Sequence, residues 1–154
     1  MNKISIQGEV LISRDVESVF NYFSDLRNDQ FWRKEANETK INSEKIQLHT
    51  VIEQGSFLSK KVPNYITIFV CTEFVQNRSM ICETDKEQRF WSKSIRQTEG
   101  IKPELTKVTY KVEFDLTIVK HGLGFGLPRF ITHIFLKKTI KSYLTQLKYA
   151  LEKQ

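Results

Sequence analysis

Hydrophobic and polar residues alternate with a period of two along much of this chain, a pattern that predicts strands with one buried face. The clearest example spans residues 106–119, where every second side chain from position 108 is apolar or aromatic: Val108, Tyr110, Val112, Phe114, Leu116 and Ile118. A strand of that length extends about 48 Å, so it must twist and bend inside a small domain. The same alternation predicts shorter strands at 3–12, 46–55, 66–74 and 80–84, and two further strands are expected at 38–44 and 89–97.

Three helices are predicted, two short ones after the first strand and a long one at the C-terminal end. After Asp15, a candidate N-cap, four apolar residues recur at the spacing of a short amphipathic helix: Val16, Val19, Phe20 and Phe23. A second short helix is predicted around Phe31 and Trp32. Pro128 suits a first helical position, and from there the chain is predicted to be helical almost to its end, for about 26 residues or 39 Å.

The apolar residues of this C-terminal helix change face near His133. From Leu136 onward they form one regular stripe, whereas at about 100° per residue four earlier ones project almost opposite it: Phe130, Ile131, Ile134 and Phe135. Three explanations fit: a kink near His133, a separate first segment, or an apolar patch exposed at the mouth of a pocket. An exposed patch beside Arg129 and Lys137 would suit docking on a membrane or on a ligand carrier.

The order of these elements is one strand, two short helices, about six strands and one long helix, without repeats or a second domain. Strands this close in sequence pair as antiparallel neighbours. The prediction is therefore an α+β fold in which a curved antiparallel sheet of six or seven strands wraps around the C-terminal helix. A single domain covers residues 1–154.

The turn at residues 76–78 fixes the predicted facing of two strands. In the register that keeps acidic residues off the apolar side, Thr72 lies beside Cys82 on the inner face. Cys71 then faces the other way, so no disulfide is expected. The outer face of the strand at 66–74 would then carry four apolar residues: Tyr65, Phe69, Cys71 and Val75. They are either a contact in a homodimer or scattered surface apolar residues.

Composition and charge exclude several classes of function. The 154 residues carry a net charge of +6, but the basic residues are scattered and no run of five occurs, so no nucleic-acid partner is expected. The chain opens on a strand pattern without a signal peptide, which favours a cytoplasmic protein with reduced thiols. His49, His121 and His133 lack metal-binding spacing, and no nucleophile–base pair is visible, so neither a metal nor a catalytic residue is predicted.

Three glycines precede the long helix: Gly122, Gly124 and Gly126. Their spacing is GxGxG and no strand follows the helix, so a dinucleotide site is excluded and no cofactor is expected. Either the glycines form a flexible loop with tolerant backbone angles, or they form a gate beside the pocket.

Several short motifs resemble those of the START-like, or SRPBCC, superfamily, which includes polyketide cyclase/dehydrase-like lipid-transfer proteins and the birch pollen allergen fold. They are Ile12-Ser13-Arg14-Asp15 at the end of the first strand, Val16-Glu17-Ser18-Val19-Phe20, then Asp25 and Trp32, and Tyr143 to Glu152 in the last helix. The family often carries a proline just before the Val-Phe helix, where this chain has Arg14-Asp15. The resemblance implies a helix-grip fold whose sheet and C-terminal helix enclose a cavity for lipids, polyketides or aromatic metabolites.

Residues on the predicted inner faces are the candidate ligand contacts. Polar members such as Thr50 and Tyr110 either are satisfied core hydroxyls or orient a ligand in an apolar pocket. Trp91 and Arg96 lie on opposite faces of one strand, and a buried Arg96 would need a counter-charge, for which an acidic ligand is the natural candidate. The full set is Trp32, Leu48, Thr50, Ile52, Ile68, Val70, Thr72, Cys82, Trp91, Arg96, Tyr110, Phe114, Ile134 and Tyr143.

Three functions remain open. The first is non-catalytic binding or transfer of a small apolar or amphipathic ligand, such as a lipid, a polyketide or an aromatic metabolite. The second is a cyclase or dehydratase in which Tyr110, Arg96 or His133 positions an enolate and moves a proton. The third is an interaction module acting through the outer sheet face or the patch near Phe130. The corresponding partners are a small apolar molecule, a second copy of the chain, or a transiently contacted membrane.

Overall fold

A computed structural model describes residues 2–154. Seven strands, three α-helices and one 3₁₀ helix follow in this order: β1 (Lys3–Ile12), α1 (Val16–Phe23), the 3₁₀ helix (Leu26–Phe31), β2 (Ala36–Ile41), β3 (Val51–Ser56), β4 (Tyr65–Val75), β5 (Ser79–Thr84), β6 (Ser92–Lys102), β7 (Leu105–Asp115), α2 (Thr117–Leu123) and α3 (Arg129–Glu152). The strands form one antiparallel sheet of order β1-β7-β6-β5-β4-β3-β2. This curled half-barrel with a long C-terminal helix confirms the predicted helix-grip fold.

Helix α1 forms as its sequence predicts. The Asp15 carboxylate accepts a hydrogen bond from the Ser18 backbone N–H at 3.0 Å and thereby satisfies one of the free donors of the first turn. Hydrogen bonds with the backbone and the side chain of Ser18 hold the pKa of Asp15 below its ordinary value. Val19, Phe20 and Phe23 are fully buried, so the amphipathic stripe faces the sheet.

Helix α3 packs mainly against the edge strand β1. The apolar stripe predicted from Leu136 onward lies in the core, where Leu147 and Leu151 are fully buried. The approach is close at Gly8, because a Cβ there would lie 2.7 Å from Ile140 Cγ2. Three cationic side chains of α3 also donate to carbonyl oxygens of every fourth β1 residue: Arg129 to Lys3, Lys137 to Gln7 and Lys148 to Leu11.

A β-bulge in β4 overturns the predicted facing of that strand. The register shifts between Cys71 and Glu73, so that Cys71, rather than Thr72, pairs with Cys82. One extra residue reverses the faces of everything before it, because side chains alternate with a period of two. The prediction was therefore wrong for three residues, which lie on the outer face: Ile68, Val70 and Thr72. It was also wrong for three of the proposed dimer contacts, which face inward: Tyr65, Phe69 and Cys71.

The two cysteines lie side by side on the inner face and are fully buried as free thiols. The prediction that they face opposite ways was wrong. A hydrogen bond between the two groups raises the pKa of the Cys82 thiol, and burial raises it further. The same hydrogen bond lowers the pKa of Cys71.

Several strand boundaries also differ from the prediction, since β2 ends at Ile41 and β6 covers Ser92–Lys102. Strand β3 begins only at Val51, because residues 48–49 form a turn in which the Thr50 hydroxyl accepts from the Gln47 backbone N–H at 3.0 Å. Strand β7 ends at Asp115, and the segment predicted to continue it forms α2 instead. The Asp115 carboxylate accepts from the Thr117 backbone N–H at 3.0 Å, a local bond that competes with strand pairing.

Helix α3 is a single helix from Arg129 to Glu152, so the explanation that its first turns are a separate segment was wrong. The displaced apolar residues are exposed, as the third explanation predicted: Phe130, Ile131, Ile134 and Phe135. Of the three glycines, Gly122 lies in α2 and Gly124 ends that helix at a φ of 83°.

Candidate functional site

An ion pair lies at the centre of the inner sheet face. Arg96 of β6 is 1% exposed, and Asp29 of the 3₁₀ helix is fully buried. The guanidinium donates to both carboxylate oxygens, at 2.8 and 2.7 Å, and also to the Phe23 carbonyl at 2.6 Å. Of Trp91 and Arg96, which the sequence places on opposite faces of one strand, Arg96 therefore faces inward. Its counter-charge comes from the chain itself, so the reason for expecting an acidic ligand is removed.

Both members of this pair remain charged despite their burial. Burial by itself raises the pKa of Asp29, but the positive charge and hydrogen bonds of Arg96 outweigh it and hold that pKa below its ordinary value. Burial opposes the charged form of Arg96 in the same way, and the Asp29 carboxylate outweighs it and raises the pKa of the guanidinium. A bidentate buried pair of this kind fixes the two elements that carry it.

The Asp29 carboxylate serves two further donors. Arg33 donates to it at 3.0 Å, and the Gln54 side-chain amide donates at 3.0 Å as well. The same amide nitrogen is 3.0 Å from the Thr39 hydroxyl, so strands β2 and β3 join the network. Together with Arg96, these donors give each oxygen of the Asp29 carboxylate at least one hydrogen bond. A buried charge requires such partners because it has lost its contact with water.

A second branch of the network reaches the C-terminal helix. Arg33 donates to Glu35 at 2.9 Å, and the Tyr143 hydroxyl of α3 donates to the same carboxylate. Tyr143 is 7% exposed, whereas the Glu35 side chain is 26% exposed and so lies at the border of the interior. The network therefore connects the sheet, the 3₁₀ helix and α3.

Three aromatic rings surround the Arg96 guanidinium. The centroids of Phe23, Trp32 and Tyr110 each lie 5.3 Å from its central carbon. Trp32 and Tyr110 are in edge contact at 5.5 Å and 77°. The negative faces of the rings favour the cation at this distance, and the rings provide the apolar lining beside a polar network.

One polar atom of this cluster has no partner. The indole N–H of Trp32 is buried and meets no acceptor among residues 2–154. Buried donors are nearly always paired, so an unpaired one marks a place where an acceptor from outside the chain would lower the free energy.

Four of the predicted contacts meet at this cluster: Trp32, Arg96, Tyr110 and Tyr143. Three more lie on the inner face beside it. Ile52 and Cys82 are buried, and Phe114 is half-buried against the core. Thr50 is buried, but its hydroxyl is engaged by Ser43 and by a backbone N–H. As ligand contacts, all of these remain predictions.

The other predicted contacts lie away from the cluster. Leu48 is exposed in the turn before β3, and Ile134 is exposed on α3. Trp91 lies on the convex face, where its indole N–H donates to Glu83 at 3.1 Å and the Lys3 ammonium lies 4.0 Å from its ring centroid. The three residues whose facing the bulge reverses also lie on the convex face: Ile68, Val70 and Thr72.

Five members of the network were not predicted from the sequence: Asp29, Arg33, Glu35, Thr39 and Gln54. The available signal was the inward register of Arg96, which requires a buried acid, but the sequence does not show which acid approaches it.

Two surface pockets lie elsewhere, one on the convex face near the β4–β5 turn and one against α2. A cavity between the sheet and α3 therefore stays a prediction. None of the helices within residues 2–154 is long and apolar enough to cross a bilayer.

Comparison with known proteins identifies the fold. No model of a protein family matches the chain, and no curated protein matches it. Among solved structures, it is similar to a START superfamily protein from Mycobacterium smegmatis, with a TM-score of 0.66 and 13% identity over 99% of this chain and 96% of that one. It is also similar to the Zhui aromatase/cyclase from Streptomyces sp. R1128, with a TM-score of 0.71 and 12% identity over 99% and 95%.

A third similar structure is a protein from Thermus thermophilus, with a TM-score of 0.71 and 16% identity over 96% of this chain and 97% of that one. The chain thus has the START-like fold.

Proposed function

We propose that this protein binds or transfers a small apolar or amphipathic ligand held between the concave sheet and α3. The observation that carries the proposal is the unpaired indole N–H of Trp32, buried beside Tyr110 and the Arg96 network. A ligand with an apolar body and one acceptor oxygen satisfies that donor and packs on the rings around it. This combination of apolar walls and a few polar groups is usual in small-molecule sites.

The two tryptophans provide a matched test. Trp91→Phe leaves Trp32 as the only tryptophan, and Trp32→Phe leaves Trp91 on the convex face. We expect oleate, cholesterol or 2-naphthol to change the emission of the first variant and not that of the second. Native mass spectrometry of the purified protein would show the corresponding mass increment.

Loss of the N–H itself should weaken binding selectively. Because Phe keeps most of the ring volume, Trp32→Phe should cost a ligand with an acceptor about threefold to tenfold in affinity, the net value of one hydrogen bond. An apolar probe without an acceptor should bind nearly unchanged. If no probe perturbs Trp32 and the native spectrum contains only the bare chain, the proposal is wrong.

A second candidate is a cyclase-type enzyme, which the similarity to the aromatase/cyclase structure favours. Of the three residues predicted for that chemistry, Arg96 is fully engaged by Asp29, and His133 is exposed on α3. Only Tyr110 keeps a position suited to proton transfer. The candidate requires that Tyr110→Phe abolish turnover of a polyketone substrate while the thermal midpoint changes little; retained turnover excludes it.

A further inference from the structure

The exposed apolar residues around the start of α3 form one surface, which we call the α3 patch: Phe125, Phe130, Ile131, Ile134 and Phe135. Their exposed fractions run from 43% to 67%. Phe125 lies in the loop before α3. The other four residues lie on the side of α3 opposite its buried stripe, so the sheet does not cover them. Contiguous apolar surface of this kind on a folded protein indicates an interaction site.

The net charge of the protein is concentrated in the same part of the chain. Residues 116–151 contain six basic residues and no acidic one, whereas the remaining 18 basic and 18 acidic residues cancel. Residues 116–151 thus carry a formal charge of +6, equal to that of the whole chain. The six are Lys120, Arg129, Lys137, Lys138, Lys141 and Lys148.

Two of these cations continue the patch along the helix. Lys138 follows Ile134 by four residues and Lys141 follows it by seven, so both lie on the exposed side of α3. Both are exposed, and neither forms an ion pair within residues 2–154. At 1.5 Å per residue, the distance along the axis from Phe130 to Lys141 is about 16 Å. The helix therefore presents aromatic residues in its first turns and free ammonium groups in the next.

We propose that this surface docks on an anionic lipid bilayer, with the α3 patch inserted at the interface and Lys138 and Lys141 against the headgroups. An amphipathic helix with aromatic residues on one part and lysines beside them has the chemistry of an interfacial anchor. Charge complementarity favours a bilayer carrying anionic lipids over a neutral one. Docking on the bilayer does not require the proposed ligand.

The test is flotation of the full-length protein with vesicles of phosphatidylcholine alone or with about 30% phosphatidylserine. We expect binding to the anionic vesicles only, with a strong decrease as NaCl rises from about 0.1 M to about 1 M and the Debye length shortens. Equal binding to both vesicle types would overturn the proposal, and so would no binding to either.

Matched variants separate the two parts of the surface. Phe130→Ser/Phe135→Ser should weaken binding at least about tenfold, because two rings lose their apolar contact. The control Ile66→Ser changes an exposed apolar residue on the convex sheet face and should bind like the wild type. If the double variant binds like Ile66→Ser, the α3 patch is not the docking surface. Circular dichroism checks that each variant is folded.

The cations are tested in the same way. Lys138→Gln/Lys141→Gln should weaken binding about 25-fold, or about fivefold for each charge near an anionic surface. Lys45→Gln/Lys86→Gln removes two exposed charges elsewhere and lowers the net charge equally, so its binding should stay close to that of the wild type. Equal losses of binding in both pairs would mean that the net charge alone acts.

Gel filtration adds one further outcome. A concentration-dependent dimer that Phe130→Ser/Phe135→Ser abolishes, without vesicle binding, would identify a second copy as the occupant and overturn the proposal.

Discussion

Substitution of Asp29 by Asn tests whether the buried network holds the fold together. The change keeps the side-chain shape but removes the negative charge that contacts the Arg96 guanidinium. Arg96 is 1% exposed and Asp29 fully buried, so water cannot replace the lost charge. Breaking a buried pair from one side costs about 3–5 kcal/mol. For a chain of this size that corresponds to a decrease of about 6–20 °C in the thermal midpoint.

Urea unfolding followed by far-UV circular dichroism measures this cost directly. Glu9→Gln is the matched control, because it breaks the exposed pair with Lys107 and should leave the free energy of unfolding almost unchanged. The double variant Asp29→Asn/Arg96→Met removes both charges and should recover part of the loss. If Asp29→Asn is no more destabilising than Glu9→Gln, the ion pair does not stabilise the fold as argued.

The pH dependence gives a second, independent check. The pKa of Asp29 is lower in the folded state than in the unfolded chain, so its contribution to stability is complete above the unfolded pKa of about 4. As the pH falls through the folded pKa, the carboxylate takes up a proton and the contribution disappears. The difference between wild type and Asp29→Asn should therefore be full at neutral pH and shrink below about pH 4. A constant difference down to pH 2 would contradict the assignment.

Two further substitutions examine the fit between the sheet and α3, and a third examines the residue that ends α2. Gly8→Val should destabilise by about 1–3 kcal/mol, because its side chain would overlap Ile140 and force α3 away from β1; urea unfolding checks it. Leu147→Ala should cost about 2–5 kcal/mol in the same assay, since the side chain is fully buried, whereas Tyr149→Ala on the exposed side of α3 should cost far less. Gly124→Ala should lower the thermal midpoint in calorimetry, because its φ of 83° costs a residue with a Cβ about 1–2 kcal/mol.

The fold could be predicted from the sequence because apolar residues recur at regular spacing over long segments of the chain. Alternation along β7 and the stripe from Leu136 in α3 each require a buried partner, and a curved sheet gripping one helix buries both. The N-cap at Asp15 was also predictable, since capping depends on a few neighbouring residues.

The inner face was predicted less well, because it depends on single-residue events. The bulge at residues 71–73 contains no glycine that would have announced it, yet it reverses the facing of Ile68 and Val70. The partner of Arg96 could not be predicted either. A buried arginine requires an acid, but only the position of the 3₁₀ helix over the sheet selects Asp29 among the 18 acidic residues.

The contacts of α3 with β1 have a consequence for how the protein avoids aggregation. Strand β1 pairs on one side with β7, so its other side is a row of peptide groups open to a foreign strand. Arg129, Lys137 and Lys148 occupy carbonyls along that row, and each brings a positive charge to the place where an incoming strand would have to pair. The chain thus blocks this edge with its own last helix, and a truncation that removes α3 should yield a protein that associates through β1.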